Sequence, residues 1–378
     1  MSKKKMKEEC ANNKIAFIIN SPGDGGSEGV CVNIANGLAD RGWHVDLVCM
    51  NLKRKNQLNK ISKKVNLVNL DISRFALSFI PIIYYLKRKR VKHIVCFNYI
   101  FALQLVVQKF LLNNQFKIIA RNNTSLSSHI RNNFSNNIFK KLIFMVIKIL
   151  YPKVDYSIAQ CEEMKIELVR NFGFDSNKVK VIFNPINDKI ENSYEYKKNK
   201  KEKFILIVGR LSKEKKLDVA IKVFSKVKKK FLQLKLKILG QGQEESFLRQ
   251  VAKKYEIYDS VEFLGFQKNL VPLYQKAKLT LMTSSYEGFP NTLIESVTLG
   301  TPIISFNCPT GPREIIQDGI NGFLVNADDE IMLEQKIIEA LNIDWNHQQI
   351  HNTSFRYSYE KIMNEFEDFF YQFINQNK

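Results

Sequence analysis

The chain has 378 residues, 45% of them hydrophobic, which excludes a disordered tail protein and exceeds what one compact core needs, so two domains are expected. Its net charge is +21, and the excess is uneven: residues 1–186 hold 30 basic and 12 acidic side chains, a net of +18, against +3 for the remainder. A compositional preference for lysine acts on both halves alike, so the asymmetry points to an anionic partner of the first half: a membrane surface, an anionic acceptor or nucleic acid.

Taken in order, the charged start Met1–Glu9 precedes no long apolar run, so no signal peptide is expected. No stretch of about 18 uninterrupted apolar residues occurs anywhere, so no bilayer-spanning helix is expected either. The six cysteines, at 10, 31, 49, 96, 161 and 308, show no disulfide or metal-ligand spacing and read as reduced core residues of a cytosolic protein. Ile15–Asn20 is a strand, Ser21–Gly29 a flexible loop, Val30–Leu38 a helix and Trp43–Met50 a second strand. This is a βαβ unit whose glycine-rich first turn lets backbone approach a phosphate or sugar.

Phe75–Ile83 is aromatic and aliphatic and runs into the basic cluster Lys87-Arg88-Lys89-Arg90, after which Val91–Asn98 is strand-like. Phe116–Ala120 is a further strand, followed by Arg121-Asn122-Asn123-Thr124. Ligands of open α/β sheets bind beyond the carboxyl ends of strands, so Arg121 and Asn122 are candidates to meet a substrate. His129, the histidine nearest to them, reads as a surface residue. Asn137–Tyr151 is a helix with a narrow edge of Lys140, Lys141 and Lys148 and a wide apolar face. It is either an interfacial membrane helix or a core helix with snorkelling lysines. Taken with the cluster at 87–90, it favours peripheral membrane attachment through the first domain.

Strands at 156–159 and 179–183 flank a helix at 162–169 and close a first domain at residue 186. Residues 187–203 are polar and Lys-rich and read as a linker. Strands at 204–208, 234–239, 261–264, 279–284, 302–306 and 322–325 then alternate with helices, giving a second doubly wound domain, with a helical tail from Thr353 to Ile374. Within it, Arg210 and Lys215 leave one loop as a fork and a point charge suited to a diphosphate; a solvated basic loop is the alternative, since Lys213 and Lys216 lie beside them. Glu287 sits in a loop before the helix 291–299, with Pro290 expected in that helix's first turn, and Glu295 follows about one and a half turns on. The helix start offers an anion site, and each carboxylate suits a pair of sugar hydroxyls.

The segments Gly209-Arg210-Leu211-Ser212-Lys213-Glu214-Lys215, Ser285-Tyr286-Glu287-Gly288-Phe289-Pro290-Asn291 with Glu295, Thr310-Gly311-Pro312-Arg313-Glu314 and Asp318–Val325, in that order, resemble glycosyltransferase family 4, the retaining nucleotide-sugar enzymes. The resemblance implies an α/β GT-B architecture, two Rossmann-like doubly wound domains facing a central cleft. Residues 1–186 are expected to bind acceptor and face the membrane, residues 187–352 to bind nucleotide sugar, and 353–378 to cross back to the first domain. It further implies catalytic roles for Glu287, Arg210 and Lys215, and donor binding by Glu295, Gly288, Phe289, Pro290, Asn291, Phe266, Gly240 and Gly242. Gly25, Gly26 and Glu28 match a Gly-Gly-x-Glu segment and, with Arg121, Asn122 and His129, are the acceptor-side candidates; Gly29 stands where the family often has Arg.

The chain contains no Asp-x-Asp sequence, so a metal-bridged diphosphate is not expected, and no cofactor beyond a UDP-sugar co-substrate is implied. The expected activity is retaining transfer of a hexose or N-acetylhexosamine from a UDP-sugar to a lipid-linked bacterial glycan, as in capsule or O-antigen assembly. It is placed in the cytoplasm at the inner face of the membrane, with an anionic lipid surface as partner and nucleic acid disfavoured. Alternatives are an epimerase or phosphorylase of the same architecture, and a non-catalytic basic protein that binds membrane or nucleic acid.

Overall fold

The computed structural model describes residues 14–23, 25–53, 57–113, 116–133, 137–194 and 201–375. The charged start Met1–Glu9, Cys10, Asp24 of the glycine-rich loop and residues 195–200 of the expected linker lie outside them. Two parallel sheets organise two compact units, one of Met1–Pro185 with Glu360–Lys378 and one of Ile186–Tyr359.

The first unit runs β1 (Lys14–Ile19), α1 (Gly26–Asp40), β2 (His44–Cys49), β3 (Asn66–Asn69), α2 (Phe79–Lys89), β4 (His93–Cys96), α3 (Tyr99–Leu111), β5 (Lys117–Arg121), α4 (Leu126–Asn133), α5 (Asn137–Leu150), β6 (Tyr156–Ala159), α6 (Glu162–Phe172) and β7 (Val179–Val181). Its strand order is β3-β2-β1-β4-β5-β6-β7, parallel throughout. Because helices cover both faces of such a sheet, its central strands are apolar runs rather than alternations: Ile15 to Ile19 are all buried. Three elements escape a periodicity reading. β3 is a short edge strand of sequence Asn-Leu-Val-Asn, α3 is apolar on nearly every side, and α4 is almost wholly polar.

One expectation is corrected in this unit. Helix α1 begins at Gly26, with Gly25 as its cap, so Gly26, Glu28 and Gly29 form its first turns rather than a flexible loop. A carboxylate at Glu28 is well placed there, against the positive end of the helix dipole.

The second unit runs α7 (Asp188–Glu191), β8 (Phe204–Val208), α8 (Leu217–Lys230), β9 (Lys235–Leu239), α9 (Glu245–Lys254), β10 (Val261–Gly265), α10 (Val271–Lys276), β11 (Leu279–Met282), α11 (Asn291–Thr298), β12 (Ile303–Asn307), α12 (Pro312–Ile315), β13 (Gly322–Asn326), α13 (Glu330–Asn342) and α14 (His347–Asn352). Its parallel order is β10-β9-β8-β11-β12-β13. The described start of the expected linker is not free chain: Asn187 caps α7 through Lys189 N, and the Tyr194 ring stacks on His351 at 3.7 Å. The tail is also not one helix from Thr353; a turn at Phe355–Tyr357 precedes α15 (Tyr359–Asn375).

From Glu360 onward α15 belongs to the first unit. Phe370 lies 6.0 Å from Trp43 and 6.3 Å from Phe17, and Phe373 lies 5.1 Å from Tyr156, ring centre to ring centre. Arg41 pairs with Glu360 at 2.6 Å and Glu367 at 3.6 Å along the rim of this aromatic seam. Among the described residues, Cys31, Cys49, Cys96, Cys161 and Cys308 are buried free thiols, and no helix is long and apolar enough to cross a membrane.

Candidate functional site

In an open parallel sheet, the connections on either side of the point where strand order switches leave to opposite faces, so the loops there splay apart and leave a crevice beyond the carboxyl ends. In the second unit the switch falls between β8 and β11. The loop after β8 carries Arg210 and Lys215, and the loop after β11 carries Glu287.

These loops are stitched together. Thr283 Oγ1 donates to the carbonyls of Lys215 and Lys216 at 2.9 and 3.0 Å, and Ser285 N donates to Glu214 O at 2.8 Å. The result brings Lys215 Nζ to 2.5 Å from Glu287 Oε1, which also accepts from Ser284 Oγ at 2.6 Å. Both members of the ion pair are largely shielded, so the pair is far less screened than a surface one. Arg210, from the same loop as Lys215, is exposed and has no ion-pair partner among the described residues. One cation is thus bound to the carboxylate and the other stands open to a ligand.

A third loop, after β12, locks the Glu287 backbone. Thr310 Oγ1 donates to Glu287 O at 2.5 Å, and Glu287 N to Pro309 O at 3.4 Å. Gly311 holds φ +101, and a Cβ there would stand 2.6 Å from Pro290 Cδ, so the two loops pack backbone to ring. Phe289 is buried with its ring 5.6 Å from Tyr357. Pro290 is the cap of α11, in extended backbone at φ −75 and ψ 100, which corrects its expected place inside the first turn. Asn291 opens α11, and one turn on Glu295 Oε2 accepts from Tyr274 Oη at 2.9 Å. Burial, then the Glu295 charge, push the Tyr274 hydroxyl well above the usual phenol range, so it stays a donor.

Gly240 and Gly242 do different work. A Cβ on Gly240 would lie 1.8 Å from Gly209 O, and one on Gly242 2.0 Å from Leu211 O. The loop after β9 therefore presses directly on the Gly209–Leu211 backbone, and Leu211 N donates to Gln241 O at 3.0 Å. These glycines shape the loop that presents Arg210. Phe266, just past β10, leaves its ring 47% exposed beyond the strand ends.

In the first unit the strand order switches between β1 and β4. A recess there is lined by Asn20, Ser27, Glu28, Phe97, Asn98 and Asn123 among others. Glu28 accepts from Ser27 Oγ at 2.7 Å. Gly25 and Gly26 form the start of α1 beside it. Arg121 and Asn122, expected in an open loop, are buried instead. Arg121 ends β5 with its guanidinium between the Phe97 and Phe366 rings, hydrogen-bonded to Asn184 Oδ1. Burial pulls its pKa down to about 9, and its Nε and Nη1 find no partner among the described residues. Asn122 Oδ1 accepts from Tyr151 Oη at 2.7 Å. His129 is half-buried, its ring 6.0 Å from Tyr99. The structure thus brings Glu28 to this recess, while Arg121 and Asn122 lie beneath the surface.

Ser284, Thr310 and Tyr274 escaped the reading of site residues. Ser284 is three residues before Glu287 and is traceable locally; Tyr274 reaches Glu295 only through the packing of α10 on α11. Among the described residues no cluster of three or more His, Cys, Asp or Glu offers a metal site.

Two family descriptions match adjoining parts of the chain: "Glycosyltransferase Family 4" over residues 24–189 and "Glycosyl transferases group 1" over residues 188–356. An uncharacterized glycosyltransferase of Methanocaldococcus jannaschii is 32% identical over 57% of this chain and 56% of its own length. The N-acetylgalactosamine-N,N'-diacetylbacillosaminyl-diphospho-undecaprenol 4-alpha-N-acetylgalactosaminyltransferase of Campylobacter jejuni is 30% identical over 62% of this chain and 63% of its own length. The chain thus spans less than two thirds of each of these relatives. Among solved structures, Anabaena Alr3699/HepE in complex with UDP-glucose superposes with a TM-score of 0.76, at 17% identity, over 95% of this chain and 99% of that one.

Proposed function

The chain belongs to glycosyltransferase family 4 and has the GT-B fold, and from that premise we propose that it transfers a hexosyl or N-acetylhexosaminyl group from a UDP-sugar to a lipid-linked glycan of the bacterial surface. Transfer retains anomeric configuration and takes place at the inner face of the membrane. The observation that carries the reading is the convergence of Arg210, Lys215 and Glu287 at the switch point of the second sheet, with Glu295 one turn into the adjoining helix. The diphospho-undecaprenol acceptor in the name of the Campylobacter relative, and the UDP-glucose bound in the Anabaena structure, support the choice of substrate classes.

In this reading the bond from the sugar's anomeric carbon to the diphosphate oxygen breaks, and negative charge grows on the leaving diphosphate. A fixed cation stabilises that charge most where water is excluded. Arg210, open and fork-shaped, receives the diphosphate, and the start of α11 adds aligned backbone donors. Lys215 contributes charge while holding Glu287. The second oxygen of Glu287 accepts sugar hydroxyls, and Glu295, oriented by Tyr274, accepts those of the ribose. The acceptor hydroxyl attacks the face the diphosphate leaves, its proton passing to the departing phosphate oxygen. Positive side chains stand in for a metal in this scheme.

The test is UDP release from a panel of UDP-sugars, with and without membrane-extracted glycolipid, for the parent, Glu287→Gln and Arg210→Ala. Acceptor-dependent release with one sugar, abolished by both changes, is the expected result. Consumption that neither change affects places the chemistry elsewhere, and no consumption of any sugar overturns the reading.

A further inference from the structure

The amino ends of the second sheet's strands lie at the edge opposite the loops that carry Arg210, Lys215 and Glu287. Lysines crowd this edge. Lys201 and Lys203 lead into β8, Lys235 opens β9 and Lys237 follows it, Lys276 ends α10, and Lys278 leads into β11.

Two carboxylates pair with these cations, and both are taken. Glu262 meets Lys235 at 2.6 Å and Lys237 at 3.8 Å, while Glu202 meets Lys276 at 3.0 Å and Lys237 at 3.8 Å. Lys203, exposed, donates to Gln233 Oε1. Lys201 and Lys278 are half-buried, and neither forms an ion pair among the described residues.

Lys201 Nζ instead donates to Thr301 Oγ1 at 2.8 Å, and that hydroxyl donates in turn to Tyr274 O at 2.6 Å. The proton of Thr301 is therefore committed elsewhere, and the nitrogen lone pair of an uncharged Lys201 receives no hydrogen bond from the described residues. An ammonium so placed has one neutral acceptor, little water and a second cation beside it, which favours loss of its proton. Burial, then the Lys278 charge, hold it down at about 7. About half of the molecules then carry a free amine near neutral pH, against roughly one in a few thousand for an ordinary lysine.

What this pair of lysines lacks is an anion, and a free amine makes one from carbon dioxide. Carbon dioxide is small and uncharged, so it reaches a half-buried nitrogen. The Nζ lone pair bonds to the carbon, one carbon–oxygen π pair moves onto oxygen, and the proton released from nitrogen passes to water. A neutral side chain thereby becomes a carbamate with a negative charge beside the Lys278 ammonium, where a charge-assisted pair forms. Its remaining N–H still serves Thr301 Oγ1. An acyl group in the same place would consume the amine and leave Lys278 without a counter-ion.

We propose that Lys201 is a carbon dioxide site, carboxylated on Nζ to a carbamate that pairs with Lys278 and donates to Thr301. The inference goes beyond the transfer reaction and does not rest on it.

The test is trapping with a trialkyloxonium salt, which alkylates a carbamate before it decomposes, on the full chain in isotopically labelled bicarbonate near neutral pH, read by peptide mass spectrometry. Lys201 is expected to carry the labelled carboxyl in a yield about tenfold or more above that of the exposed Lys235 and Lys276. Chain unfolded in urea should lose this preference. Lys278→Gln removes both the counter-charge and one cause of the free amine, and should lower the yield about threefold or more, whereas Lys278→Arg should keep most of it. No labelled carboxyl on Lys201 of the folded parent, or a yield no higher than at Lys235, overturns the proposal without recourse to a variant. So does a Lys278→Gln protein that unfolds at the parent's midpoint and is labelled equally well. If inorganic phosphate shields Lys201 from an amine-reactive reagent while no carboxyl is trapped, the two lysines hold a free anion and the carbamate is ruled out.

Discussion

Lys215 Nζ stands 2.5 Å from Glu287 Oε1, although 72 residues separate the two in the chain. The contact exists because β8 and β11 are neighbours in a parallel sheet, so the loops beyond them open side by side. With Ser284 on the same oxygen, the carboxylate is held at Oε1 by two donors from two different loop positions.

Removing that carboxylate's charge should cost more than removing its anchor. Glu287→Gln leaves Lys215 without its partner and is expected to lower kcat for UDP release by about a hundredfold or more, in the range seen when an aligned electrostatic group is lost. The partly buried ion pair also goes, at about 1–3 kcal/mol of stability. Steady-state kinetics and urea unfolding on the same preparation separate the two effects; unchanged kcat would remove Glu287 from the chemistry.

Ser284→Ala deletes one hydrogen bond to Glu287 and leaves the ion pair. The hydroxyl bonds a charged group, so about 1–2 kcal/mol is at stake, a five- to thirtyfold loss in kcat/KM. Ser284→Thr should recover most of it. Full activity in Ser284→Ala would mean that Lys215 alone holds the carboxylate.

Tyr274→Phe removes the donor to Glu295 Oε2 in a fully buried place. The affinity for UDP is expected to fall about fivefold or more, measured by calorimetry without any sugar present. Because the hydroxyl lies on the Glu295 side, kcat should change less than UDP affinity. An unchanged UDP affinity would argue against Glu295 as the ribose acceptor.

Gly240→Ala should be severely destabilising. The added methyl meets Gly209 O at 1.8 Å, and the residue holds φ +142, a conformation side chains avoid. Overpacking and backbone strain together amount to about 3 kcal/mol or more. Thermal unfolding with and without UDP reads the effect, which should persist when no ligand is present.

Acid should weaken the second unit through His351. Burial holds its imidazole below the usual range, partly offset by the hydrogen bond from Nδ1 to Thr298 O and by the Glu191 charge. The unfolded chain then takes up a proton near pH 6.5, before the folded one does. Stability is full above that pH and is lost as pH falls through the folded value. The difference in unfolding midpoint between pH 7 and pH 5 should shrink in His351→Gln. His93, lowered in the same direction by burial in the first unit, leaves a residual dependence.

The sequence by itself determined the two parallel sheets and their family. Strands buried on both faces must be apolar runs, as in Phe204–Val208 and Ile303–Phe306, and such runs followed by polar loops are visible without any contact map. Gly209–Lys215 and Ser285–Glu295 were legible for the same reason, being local. Helix starts were less so: Gly25 and Gly26 read as loop because glycine weakens a helix signal, yet the backbone caps α1 there.

What only the tertiary structure decided are the long-range pairings and the direction each apolar face looks. Nothing near Arg121 shows that Phe97 and Phe366 will enclose it, nor does anything near Tyr274 show that it will meet Glu295. The α5 sequence allows its apolar stripe to face either the sheet or the outside. Neighbouring helices leave only Ile147 fully covered and the stripe outward, because periodicity fixes which residues share a side and packing fixes what that side touches.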